Sequence, residues 1–207
     1  MRGQAYCVLV IATGLVAAGR TEALSSLRDW LDPKRLTTCA WGPRDAVESA
    51  RPWAWRFWQA LPRKGGIAVW FDGWYGDLLQ LMLDKDGART VQARAAAIVA
   101  LERMLAADGV RLLKWHFDID AAAQRKRVKK LRADELSRWR ISREDLANVR
   151  RHGRVARAHD DCQGLTDHEA APWHRFKNAH KGHAAVRMAQ QLLDLMRVAP
   201  DVAPRAG

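Results

Sequence analysis

Apolar residues first gather in a continuous run over 6–12, long enough for a buried strand, too short to cross a bilayer, and broken at Thr13-Gly14. A helical spacing follows over 21–31 and stops at Asp32-Pro33, where proline cannot continue a helix. Further along, the pattern predicts a short strand over 36–40, a Trp-rich helix opened by Pro52 over 53–61, and a wholly apolar strand over 67–71. Helical periodicity returns around 78–83 and over 91–107, and a fourth strand is expected over 111–119. Strands alternating with helices predict right-handed βαβ crossovers and an α/β fold with a parallel sheet covered on both faces. Such a sheet places its site at the C-terminal edge of the strands.

From 121 to 157 the character changes to a basic helical stretch, Gln124-Arg125-Lys126-Arg127 through Arg150-Arg151, with few apolar positions. It reads as an exposed, mobile insertion. Residues 172–179 make a poor last strand, because His174, Arg175 and Lys177 interrupt it, and an amphipathic helix over 182–196 closes the domain. The Pro- and Ala-rich segment 199–207 reads as a disordered tail or linker, leaving one domain over 1–198. The first apolar run is taken as the opening strand of this pattern, not as a leader, because only Arg2 precedes it and Thr13-Gly14 breaks it. No membrane partner is expected.

Charge narrows the partners without choosing one. Lys and Arg number 35 against 23 Asp and Glu, a net charge of +12 that attracts nucleic acid, anionic lipid or phosphate polymers alike. Cys7, Cys39 and Cys162 are odd in number and lack metal-ligand spacing, which suits reduced thiols in a reducing cytoplasm. His116 and Asp118 would share one strand face, but two ligands do not make a zinc site, and the histidines from His159 to His183 also lack metal spacing. They read as surface or packing residues.

The segment Gly14-Leu15-Val16-Ala17-Ala18-Gly19-Arg20-Thr21 has the spacing G-x-x-x-x-G-K-[ST] with Arg for Lys, between an apolar strand and a helix. Glycines let such a loop turn its N–H groups on a phosphate, a cation at the seventh position reaches the phosphates, and Thr21 would ligate Mg²⁺. Alone, the pattern also fits an ordinary glycine-rich strand-to-helix turn. Asp72, at the end of the apolar strand, stands where such proteins place the acid that holds Mg²⁺.

These segments, with the basic helices that follow, resemble the polyphosphate kinase 2 family. Its loop G-x-D-A-A-G-K-G is matched at Gly14, Ala17, Ala18 and Gly19, and its W-L-D-P at Trp30-Leu31-Asp32-Pro33. Its P-x-x-W-R-F-W-x-x-L-P is similar to residues 52–62, and its F-D-R-S-W-Y to Phe71-Asp72-Gly73-Trp74-Tyr75, one residue shorter. A basic lid pattern resembles residues 137–145, and A-P-W is present at Ala171-Pro172-Trp173. The resemblance implies a P-loop kinase-like three-layer fold and transfer of phosphoryl groups between inorganic polyphosphate and a nucleotide with Mg²⁺. It implies a homo-oligomer, phosphates cradled by Gly14 to Thr21, metal at Asp72 and Thr21, and polyanion gripped by Arg132, Arg138 and Arg140.

Three departures fall on the chemistry. The family's loop Asp is Val16, its loop Lys is Arg20, and the Arg after the strand acid is absent beside Gly73, the next basic position, of W-Y-x-R, being Gly76. In this the chain resembles the first domain of tandem members. A non-catalytic polyphosphate- or nucleotide-binding role is therefore an alternative, and a basic nucleic-acid binder is a further one, although no nucleic-acid module accompanies the charge.

Overall fold

A computed structural model describes residues 6–84, 88–177 and 181–197 of the chain. Five strands form one parallel sheet in the order β2-β3-β1-β4-β5, with β1 Cys7–Gly14, β2 Leu36–Ala40, β3 Ile67–Phe71, β4 Val110–Asp118 and β5 Trp173–Lys177. β1 is almost wholly apolar and β4 is buried over most of its length, Lys114 and His116 included, because both faces of these central strands are covered. Over one face lie α1 Arg20–Arg28 and α9 Lys181–Arg197, whose Leu24, Leu27, Met188 and Leu192 pack with Val8, Val10, Trp115 and Phe117. The opposite face carries α4 Trp74–Leu83 and α5 Ala88–Ala107, with Trp74, Leu78, Ala95 and Ile98 against Leu9, Ile11 and Trp70. The result is the expected three-layer α/β arrangement.

The chain leaves β1 for one side of the sheet and returns to the other at β4, so β1 and β3 flank the point where strand order reverses. All pairings are parallel, and Ala12 stands opposite Phe71 while Gly14 stands opposite Phe117. The loop after β1 and the residue after β3 therefore emerge side by side.

Two local expectations are corrected. The Trp-rich helix over 53–61 is only one turn, α3 Trp55–Trp58, because its rings do not form one stripe. Phe57 instead joins a cluster with Trp41, Trp70 and Trp74, in which the ring pairs meet edge-on or tilted at 5.0–6.1 Å. A short helix, α2 Ala46–Ser49, precedes it, closed by a capping box between Asp45 and Glu48. The basic stretch is also not exposed throughout. It comprises α6 Ala121–Ala133, a 3-10 turn at Arg138–Arg140, α7 Arg143–Arg150 and α8 His152–Thr166, and α8 buries Val155, Ala158, His159 and Cys162. The last strand ends at Lys177, and the expectations for 178–179 and 199–207 lie outside the described residues. Among the described residues no helix is long and apolar enough to cross a membrane.

One buried cluster ties the far half of the sheet together. Glu102 on α5 and Lys114 on β4, both fully buried, pair at 3.0 Å. Three further donors reach the Glu102 carboxylate: Trp74 Nε1 at 2.9 Å, the Tyr75 hydroxyl at 2.5 Å and His168 Nε2 at 2.8 Å. Lys114 also donates to the Thr166 carbonyl at the end of α8. A buried charge is tolerable only when satisfied in this way.

Candidate active site

At Gly14 the chain must turn beside β4, where a Cβ would stand 2.5 Å from the Phe117 carbonyl oxygen, so only glycine fits. Ala17 and Gly19 adopt left-handed conformations, with φ 59 and 96, and Gly19 caps α1. The expected strand–loop–helix is thus present with its backbone wrapped around a concavity. Two residues of α6 hold the loop from behind: Gln124 Nε2 donates to the Val16 carbonyl at 2.9 Å, and Arg127 Nη1 to the Ala17 carbonyl at 3.2 Å. Gln124 is buried and its other amide atom meets His152 Nδ1 at 2.8 Å. These contacts occupy two loop carbonyls, while the Leu15 and Ala18 N–H groups bond the Phe117 and Leu15 carbonyls.

Across the loop, Asp72 follows β3 with φ 61, a left-handed conformation that Asp tolerates better than most residues. Its backbone N–H donates to the Ala12 carbonyl, which fixes it next to β1. Arg20 is drawn to the same place. Its Nη1 donates to the Ala12 carbonyl at 3.0 Å and to Asp72 Oδ1 at 2.5 Å, and its guanidinium lies over the Phe71 ring at 5.2 Å. The loop cation and the strand acid are brought together as partners of one another.

Gly14 to Thr21, Asp72, Gly76 and Arg140 line one cavity of about 340 Å³, closed on the lid side by Ile141, Glu144, Asp145 and Asn148. Of the three arginines expected to grip a polyanion, Arg140 alone lines this cavity, and it pairs with Glu22 of α1 at 2.9 Å. Arg132 and Arg138 are exposed on α6 and the 3-10 turn. The lining carries the carboxylates of Glu22, Asp72, Glu144 and Asp145 against the guanidinium groups of Arg20 and Arg140. An anion held there requires further positive charge. Thr21 and Asp72 are oxygen donors of the kind that hold a hard divalent cation jointly with substrate phosphates, so the residues present fit Mg²⁺ in that shared form.

His159 of α8 also lines the cavity, a residue that sequence reasoning assigned to packing or surface. Its ring lies 4.9 Å from that of His116, which meets the Thr13 hydroxyl at 3.1 Å. Burial holds both imidazoles neutral, His116 at about 2 and His159 at about 4, helped at His116 by His159. The helical spacing of His159 with buried Val155 and Cys162 was the available signal. Among the described residues no three His, Cys, Asp or Glu side chains gather as a metal site.

The sequence profile described as Polyphosphate kinase 2 matches residues 1–202. This chain belongs to the polyphosphate kinase 2 family. A "Polyphosphate:AMP phosphotransferase" of Pseudomonas syringae pv. tomato is 28% identical over 193 residues, covering 93% of this chain and 39% of the relative. An "AMP/ADP-polyphosphate phosphotransferase" of Meiothermus ruber is 29% identical over 168 residues, covering 81% and 63%. The chain thus spans less than two thirds of the length of either relative. Among solved structures, the polyphosphate kinase 2 of Arthrobacter aurescens TC1 superposes with a TM-score of 0.83 at 27% identity, over 94% of this chain and 69% of that one. The polyphosphate kinase 2 fold therefore accounts for the three layers and the strand order described above.

Proposed function

We propose that this polyphosphate kinase 2 domain, spanning 1–198, transfers phosphoryl groups between inorganic polyphosphate and a nucleotide in a reducing cytoplasm. The observation that carries this reading is the meeting of the loop 14–21, Asp72 and the lid residue Arg140 in one cavity at the sheet's reversal point. The names of the similar phosphotransferases support the substrate class.

In this reading the loop N–H groups and the N-terminus of α1 receive phosphate oxygens. Arg20 would pair with the incoming anion in place of Asp72, and Thr21 and Asp72 would hold Mg²⁺. The ion, when bound, neutralises charge spread over the oxygens of the transferred group. Arg140 holds the polymer from the lid, with Arg132 and Arg138 extending the grip beyond the cavity. Assembly into homo-oligomers is part of the proposal and is tested by sedimentation.

The Arg20–Asp72 pair and the apolar Val16 favour one second reading, a domain that binds polyphosphate or nucleotide without turnover. Both readings are separated by incubating the chain with polyphosphate, AMP or ADP, and Mg²⁺, with chelator controls. Metal-dependent nucleotide phosphorylation, lost at least about 100-fold in Asp72→Asn, supports the enzyme. Metal-dependent binding without product supports the second reading. If neither polyphosphate nor nucleotide binds, while DNA does at matched phosphate concentration, both are overturned in favour of nucleic acid.

A further inference from the structure

Deep in the cavity wall stands a polar ring with nothing to bond. His159 is 7% exposed, and among the described residues its imidazole makes no hydrogen bond, its backbone carbonyl alone accepting one from Gln163. One side of the ring rests on His116, itself held by Thr13, while the residue forms part of the cavity lining. Its ring nitrogens are not among the fully enclosed polar atoms left without a partner, so the unbonded ring keeps access to the cavity that it lines.

The charges that His159 senses identify the place. They are those of Asp72, Arg20, Asp160 and Asp118, the first two being the strand acid and loop cation of the candidate site. Resting on the reading of this cavity as a phosphate site, we propose that His159 binds substrate directly, its neutral ring donating an N–H to an oxygen of the phosphoryl group seated on the loop. A neutral donor suits the position, because a second cation beside Arg20 would be repelled, while the N–H still offers an anion a directed bond. The helix places it: Val155, Ala158 and Cys162 of α8 are buried beside it and fix the ring's height over the sheet edge. This is a binding contact supplied from α8, outside the loop, the strand acid and the basic lid.

The test uses inorganic tripolyphosphate with Mg²⁺ as probe, titrated into the full chain and two variants. His159→Phe keeps a ring against His116 and removes the donor, whereas His159→Gln keeps a neutral donor. Affinity should fall about tenfold in His159→Phe and stay within about threefold in His159→Gln, with the thermal midpoints alike. Imidazole ¹⁵N shifts of His159 in the parent chain should move on saturation, which a packing role would not produce and which decides the matter if either variant fails to fold. A parent that binds the probe, with His159→Phe equal to it and the ring shifts unmoved, overturns this proposal and leaves the phosphate site standing. A parent that does not bind overturns the site reading itself.

Discussion

Positions 73 and 76 differ in what a new side chain would meet. Gly73 has φ 52 and ψ −138, and a Cβ there would lie 3.2 Å from Trp70 and 3.3 Å from Ile11. Gly76, in the first turn of α4, offers a Cβ ordinary contact with Asp72 at 3.4 Å and lines the cavity. The missing family cation can therefore be restored at 76 and not at 73. Gly73→Arg should cost about 1–3 kcal/mol, read as a lowered thermal midpoint. Gly76→Arg with Val16→Asp should leave the midpoint nearly unchanged and raise phosphotransfer above the parent; a rate no higher would mean these departures do not limit the chemistry. His116 supplies a second residue-level test. Its folded pKa, about 2, lies below the unfolded 6.5, so only the unfolded chain gains this proton as pH falls through 6.5. The fold then loses about 1.4 kcal/mol per pH unit from this group, down towards pH 2. His116→Asn removes that share, so the stability gap between parent and variant should narrow by about 2–3 kcal/mol between pH 7.5 and pH 4.5 in urea titrations. An equal gap at both would show that His116 is not held neutral.

At the scale of elements, the lid contacts are unequal. Arg140 reaches the cavity and Glu22, while Arg132 and Arg138 face solvent. Arg140→Ala should weaken polyphosphate binding about tenfold, whereas Arg132→Ala with Arg138→Ala should mainly flatten its salt dependence, as exposed charges act through counterion release. Equal effects in both would return the lid to a uniform basic surface. The strands and their C-terminal edge were legible in the sequence because buried parallel strands read as continuous apolar runs, as at 6–12 and 67–71. The α8 boundary was not, because Arg157, Asp160 and Asp161 lie exposed between the buried Val155, Ala158, His159 and Cys162, with Arg154 exposed just before them, and mask the stripe. Likewise the loop could be read from its glycines, but the Arg20–Asp72 pair depends on strand order, which places residues 52 apart in sequence beside each other.

For the whole molecule, the Glu102–Lys114 cluster joins α4, α5, β4 and the segment after α8 into one body behind the site. Lys114→Met leaves a buried carboxylate short of its cation and should cost about 3–5 kcal/mol, with the site's ligand affinity unchanged in whatever fraction remains folded. A loss of only a few tenths of a kcal/mol would show the carboxylate fully supported by its other three donors. The sheet order has a further consequence, for how the chain acquires its shape. The central strand β1 is made first, yet its hydrogen-bonding neighbours β3 and β4 arrive about 60 and about 100 residues later. The loop 14–21 hangs from that strand, so it has no rigid support until β4 closes the far side. Loop closure over such separations must precede any reward from pairing, which slows the folding of this domain.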